Sequence, residues 1–275
     1  MKWYITATIL VAVGFVMFVA VMSINKWDFT KLSTVEYETN TYELTEDFSN
    51  IKIDLDTADI VFEKSEDDKC RVECYEDVNC RHEVKVEDGT LVISVDDQRK
   101  WYHNISLSFQ GGAKIIVYLP KLEYNKLNIN ASTGDVRIDC MTFNDMELSV
   151  STGDIVIDSV ECVNDIKVKV STGDVFLTDV TCSNLNSNGS TGDITLKKVI
   201  ASEKFNINRS TGNVKFEDCD AAEIKVEVST GSVKGNFLTS KIITAKSSTG
   251  DVDVPKNTEG GKCEITTSTG DIKIK

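Results

Sequence analysis

From residue 123 onward, apolar and polar positions alternate in short arms on either side of one polar turn. The turn is Ser-Thr-Gly. It occurs eight times, at Ser132, Ser151, Ser171, Ser190, Ser210, Ser229, Ser248 and Ser268, with spacings of 19, 20, 19, 20, 19, 19 and 20 residues. Five residues before that serine stand Leu127, Met146, Ile166, Leu185, Phe205, Ile224, Ile243 and Cys263. Four after it stand Val136, Ile155, Val175, Ile194, Val214, Val233, Val252 and Ile272. Further inward positions lie three before and six after. Period-two alternation beside a turn predicts two short strands per repeat, each with one buried face. No repeat carries the 3.6-residue stripe of a helix.

One such repeat cannot bury its apolar face alone, so the repeats must stack. The predicted fold is all-β: a β-solenoid, a single-stranded β-helix with one 19–20-residue coil per repeat. Coils spaced by ~4.8 Å make eight of them a rod of roughly 40 Å. Gly134, Gly153, Gly173, Gly192, Gly212, Gly231, Gly250 and Gly270 are then structural turn residues, supplying a positive φ that other residues resist. The stretch DTADIVF (56–62) matches the same pattern, 76 residues before Ser132. Since 76 is four times 19, residues 47–131 read as divergent first coils with an inserted loop at 96–104, and residues 132–275 as the regular repeat.

The amino-terminal segment has a different pattern. Residues 4–24 contain no charged side chain and match the length a helix needs to cross a bilayer. Trp3, Tyr4 and Trp27 flank the run, where interfacial aromatics belong. A cleaved signal peptide has a shorter apolar region and a small-x-small site, so an uncleaved single-pass anchor is expected. Residues 1–3 form a short tail, and the polar segment 25–46 reads as a stalk.

The net charge of −14 argues against nucleic acid, which asks for a basic face. Membrane contact is therefore assigned to residues 4–24 alone. The anchor, the divergent first coil, the Tyr118-Leu119-Pro120 segment and the [ST]-T-G-D-[VI] turn together resemble a bacterial family of membrane-anchored β-strand-repeat proteins. That family is named for adhesins and is otherwise of unknown function. The resemblance covers roughly residues 47–275. It implies a β-helix, right-handed, at the cell envelope, in some members with a link to envelope stress. It brings no catalytic residues. Asn213 and Ser232 depart from the Asp of the turn.

Several groups are candidate sites. Asp135, Asp154, Asp174 and Asp193, followed by Asp251 and Asp271, would form a carboxylate column. Such a column serves turn chemistry or forms a weak cation edge. Cys219 takes the place of Val160, Val180 and Val199, Cys263 that of Ile166, and Cys162 and Cys182 share a phase with Ala201 and Ala221. These cysteines read as small buried hydrophobes. Cys80 could bridge Cys70 or Cys74, and the same three beside His82 have a zinc-like spacing. Asn130, Asn188 and Asn208 begin glycosylation-like triplets only because each triplet ends on the repeat serine; Asn104 begins a further one. Arg99, Trp101 and Tyr102, with Lys100 and His103, form a basic aromatic loop suited to a partner or to covering a strand edge. The chain ends at Asp271-Ile-Lys-Ile-Lys275, where an open coil would invite self-association and Lys273 and Lys275 would discourage it.

The leading expectation is a non-enzymatic module, tethered to the cell membrane with its solenoid outside, that binds an envelope polymer or protein. No cofactor is called for. A cytoplasmic scaffold, bactofilin-like, is the rival, since eight unpaired cysteines suit a reducing compartment. A polysaccharide-active β-helix enzyme is a weaker one. Arg137 and Arg209 lie outside any evident acidic cluster, and His82 and His103 lie far from a nucleophile signature.

Overall fold

The computed structural model describes residues 2–24, 26–27, 36–67, 69–97 and 112–275. Lys2–Ile24 is a helix. Its stretch Thr6–Ile24 is long and apolar enough to cross a membrane, and almost none of it is covered by the rest of the chain. The remainder is a β-solenoid whose inward side chains form one continuous core.

The coil that begins at Met146 shows how the pattern becomes structure. Met146, Leu148 and Val150 point inward, the chain turns at Ser151–Asp154, and Ile155 and Ile157 point inward again. A second corner follows at Ser159, then Val160 and Cys162 return to the core. The next coil repeats this in parallel register, Met146 against Ile166 and Ile155 against Val175. Cys182 lies beside Ala201, and Ala201 beside Ala221, as the cysteine phases require.

The two corners differ in chemistry. At the Ser-Thr-Gly corner the glycines have φ between 128 and 149°, and they stack on one another. A Cβ on Gly153 would lie 2.1 Å from the carbonyl oxygen of Gly134. The second corner is a left-handed residue with a side chain: Cys140, Ser159, Asp179, Lys198 and Asp218, with φ of 50–56°. No glycine marks it, so the alternation gave no sign of it.

Both ends of the stack depart from chain order. Residues 50–57 pair with 123–133, Thr57 against Thr133. On their other side they pair with 90–97. The 76 residues between the two turns are therefore not a run of intervening coils. They form an excursion that includes an antiparallel cap. Cys70–Asp77 pairs with Lys114–Leu119 and with Tyr37–Leu44, and Cys80–Glu87 pairs with Thr90–Asp97. The second half of the segment expected as a stalk is thus a strand of the cap.

At the other end, Ile224 pairs with Cys263, and Cys263 with Ile243. The carboxy-terminal coil, residues 261–274, is inserted between the two coils that precede it. The expectation of an open edge at Asp271–Lys275 is corrected: Ile272 is paired with both Val233 and Val252. The outer coil is instead residues 241–253. Apolarity explains the order. The inserted coil points Cys263, Ile265, Ile272 and Ile274 into the core, all buried, whereas the outer coil has Ile243, Ala245 and Ser247 half-buried at the matching positions and Val252 44 % exposed. A polar terminal coil is what an end repeat needs.

Candidate functional site

The parallel register lines up outward side chains in columns. Lys169, Asn188, Asn208, Glu227 and Thr266 follow one another across five coils. Two residues further along each strand runs a second column, Ser171, Ser190, Ser210, Ser229 and Ser268. These two rails border a groove of about 590 Å³, with Val170, Gly189, Arg209 and Val228 between them. Five coils extend for roughly 20 Å. The groove crosses the inserted coil without a break, because Thr266 takes the place beside Glu227.

Beneath the groove the core breaks its own pattern. Ser187 occupies an inward column otherwise held by residues such as Leu148, Val168, Ile207 and Val226, and it is fully buried. Gly189 and Arg209 interrupt the neighbouring column of Val150, Val170 and Val228. The three departures fit each other. Arg209 fills the space that Gly189 leaves, so that a Cβ on Gly189 would lie 1.7 Å from Nη1. Its Nη2 donates to Ser187 Oγ at 3.0 Å, and its Nε is buried without a partner. Burial pulls the guanidinium down to about 10, against the opposing pull of Asp174 and Asp193.

The aspartates of the turn tie coil to coil. The amide of Asp135 donates to Asp59 Oδ1 at 2.9 Å, that of Asp154 to Asp135 Oδ1 at 2.8 Å, and that of Asp174 to Asp154 Oδ1 at 2.7 Å. Asp193 and Asn213 continue the series. Asn213 Oδ1 and Ser232 Oγ then accept the amides of Ser232 and Asp271, and Asp271 Oδ1 accepts that of Asp251. Asn and Ser serve where Asp is absent because each offers an acceptor oxygen at the same place. Among the described residues this column forms no compact set of metal-ligand atoms.

A known domain model covers the same stacked coils. It matches residues 48–182 and again 159–275. The chain belongs to the Toastrack DUF4097 family. Two solved structures share its fold. One is a candidate adhesin from Bacteroides fragilis, 20 % identical, covering 87 % of this chain and 97 % of its own, with a TM-score of 0.52. The other is a candidate lipid-binding protein from Parabacteroides distasonis, 19 % identical, covering 86 % and 97 %, also at 0.52. No curated protein matches the chain.

The other sequence candidates are scattered over this Toastrack chain. None of the eight cysteines is in a disulfide, so the bridge from Cys80 to Cys70 or Cys74 is not made. Cys74 and His82 do come together, but with Glu76; Cys70 and Cys80 are outside that group. Burial pushes the Cys70, Cys74, Cys182 and Cys263 thiols up to about 12. Cys140 is exposed at a left-handed corner. Arg137 lies on the outer face and Arg209 in the core. Arg99, Trp101 and Tyr102 lie outside the described residues. The groove was missed in the sequence because its rails are ordinary polar positions. The one available signal was the triple break at Ser187, Gly189 and Arg209.

Proposed function

We propose that this Toastrack protein is a non-enzymatic, membrane-tethered rod that holds an extended, hydroxyl-rich polymer along the groove of residues 169–171 to 266–268. One observation carries this reading. The groove spans five coils in strict register and offers the same hydroxyl at each step, with amides at two. A periodic row of hydrogen-bonding groups suits a periodic chain, and its polar lining is unsuited to acyl tails. Glu227 is the single carboxylate on the rails, so no acid pair stands ready for hydrolysis. The helix Lys2–Ile24 supplies the tether, and the solenoid lies outside the membrane.

Calorimetry with the full chain in detergent tests the reading, using soluble wall glycan strands and neutral glucan oligosaccharides. Binding to one of them is expected, and it should be lost in Ser190→Tyr and Ser210→Tyr, which fill the groove from exposed positions. Failure to bind any of these polymers, or undiminished binding in both variants, would overturn it. Digestion of a carboxy-terminal tag on intact cells by an impermeant protease tests the side of the membrane. Protection of the tag there, with digestion after lysis, would refute an outside location.

A second reading is favoured by the edge at Lys241–Thr249, which has a ladder partner on one side only among the described residues. End-to-end pairing there would build a scaffold. Sedimentation that finds only monomers at high concentration would exclude it.

A further inference from the structure

The cap contains a group of side chains that the groove does not use. Cys74 and Glu76 are two residues apart on one strand, so both point to the same face. The face is the inner one, and neither residue has any exposed surface. A tight connection, Asp77 paired with Cys80, returns the chain so that His82 joins them, 5 % exposed. One ligand atom from each of the three, a thiol sulfur, a carboxylate oxygen and an imidazole nitrogen, lies within 4.8 Å of the other two.

Two features mark this as more than chance burial. Glu76 is a fully buried carboxylate with no Lys or Arg partner among the described residues; Arg81 pairs with Glu38 instead. Buried charges are otherwise paired or bound to metal, and among the described residues its ionic partner is His82, whose Nδ1 is 2.5 Å from Oε2. The carboxylate is also held from behind. Asn40 Nδ2 donates to Oε1 at 2.7 Å and the His82 amide to Oε2 at 2.6 Å. The Tyr42 hydroxyl donates to the His82 carbonyl at 3.0 Å. Outer groups of this kind fix metal ligands in place.

We propose that Cys74, Glu76 and His82 form a binding site for a borderline-soft divalent cation of the zinc type. Sulfur, nitrogen and oxygen donors together suit such an ion and not calcium or magnesium. Bonds of about 2.0–2.3 Å put tetrahedral ligand atoms roughly 3.3–3.8 Å apart, so His82 Nδ1, now 2.5 Å from Glu76 Oε2, would turn away from the carboxylate and toward the ion. The thiol proton leaves to solvent as the sulfur becomes a ligand. Three protein ligands leave one position for water. The ion would tie the hairpin of residues 70–87 to Asn40 on the neighbouring strand, and so brace the cap at the membrane-proximal end of the chain.

The test uses the full chain in detergent, stripped with EDTA and titrated with Zn²⁺ against a chromophoric chelator, and in parallel with Co²⁺. One equivalent of zinc is expected, with a thiolate-to-cobalt charge-transfer band. Cys74→Ser should abolish the band and His82→Asn should abolish stoichiometric binding. Asn40→Ala should weaken zinc affinity by about 10–100-fold. Cys70→Ser, a buried cysteine of the same strand outside the group, should bind as the native chain does. Absence of zinc uptake by the native chain, or native affinity in both Cys74→Ser and His82→Asn, would overturn the proposal. Should those variants fail to fold, the native protein still decides: a cobalt complex without a thiolate band refutes the site.

Discussion

The Lys241 ammonium lies 2.5 Å from Asp220 Oδ1, and the coil it reaches across comes later in the sequence than either residue. Lys241 pairs with Gly261 of the inserted coil, and Gly261 in turn packs against the Ala222 carbonyl. Lacking a side chain, Gly261 leaves room for the lysine to pass. The ammonium also donates to the Ala221 carbonyl at 2.7 Å and to Thr239 Oγ1 at 2.8 Å. It is a clamp that closes over the carboxy-terminal coil. Lys241→Met should cost about 3–5 kcal/mol, as for a broken buried pair. Hydrogen exchange at residues 261–274 should rise with it. Unchanged protection there would mean that the clamp does not hold the inserted coil. Nitroxide labels at Glu227 and Thr266 should couple more strongly than labels at Glu227 and Lys246, which stand two coils apart.

A stacked corner glycine and an open turn glycine predict different penalties. Gly173 has φ 144°, and a Cβ there would lie 2.0 Å from the Gly153 carbonyl oxygen. Gly173→Ala therefore meets both strain and a backbone clash, and should destabilise by about 2–4 kcal/mol. Gly89 has φ 69° with nothing within 4 Å of its Cβ position. Gly89→Ala carries the conformational cost alone, about 1–2 kcal/mol. Urea unfolding of the two variants checks the order, and equal losses would show that the close stacking of coils contributes nothing.

Gly189 and Arg209 should behave as one unit. Gly189→Ala places a methyl into the guanidinium and should destabilise strongly. Arg209→Val alone leaves a hole beside Ser187. The double variant Gly189→Val with Arg209→Val restores the valine column, and should recover about 2–3 kcal/mol relative to the sum of the singles. Replacement of a buried charge by packed apolar side chains is often neutral or favourable. Strict additivity in a double-mutant cycle would refute the coupling.

The buried thiols set an alkaline limit. Their ordinary value is 9.0, and in the folded chain Cys70, Cys182 and Cys263, which lie outside the proposed metal site, are pushed up to about 12 by burial. Between those values the unfolded chain has lost protons that the folded chain keeps. The unfolded state then binds fewer protons, so stability falls as pH rises. The loss should begin near pH 9 and steepen to about pH 11, measured as the urea midpoint. Cys182→Ala, which matches its neighbour Ala201, should flatten the slope. An unchanged slope in that variant would place the alkaline sensitivity elsewhere.

Much of this was legible in the residues. Ile155, Val175 and Ile194 alternate with polar neighbours, and alternation beside a recurring glycine leaves a stacked coil as the way to bury them all. The buried Cys162 and Cys182 were legible for the same reason, since a repeat fixes the environment of every phase. The left-handed Ser159 was not, because a positive φ at a residue with a side chain is imposed by its surroundings and leaves no mark in composition. Nor was the groove, whose serines look like turn residues until five of them are set side by side.

The sequence by itself determined the local element: a strand, a glycine corner, a strand, with a fixed inward face and an apolar helix in front. That follows because alternation and turn chemistry act within a few residues. The order in which coils stack was decided only in the tertiary structure. Parallel coils of near-identical pattern can pair in any order, and the choice between Ile243 and Cys263 as the neighbour of Ile224 rests on which coil is polar enough to face water. The meeting of Cys74, Glu76 and His82, and of Ser187, Gly189 and Arg209, was decided there too. In both, side chains that break the pattern are brought together by backbone paths that the pattern does not encode.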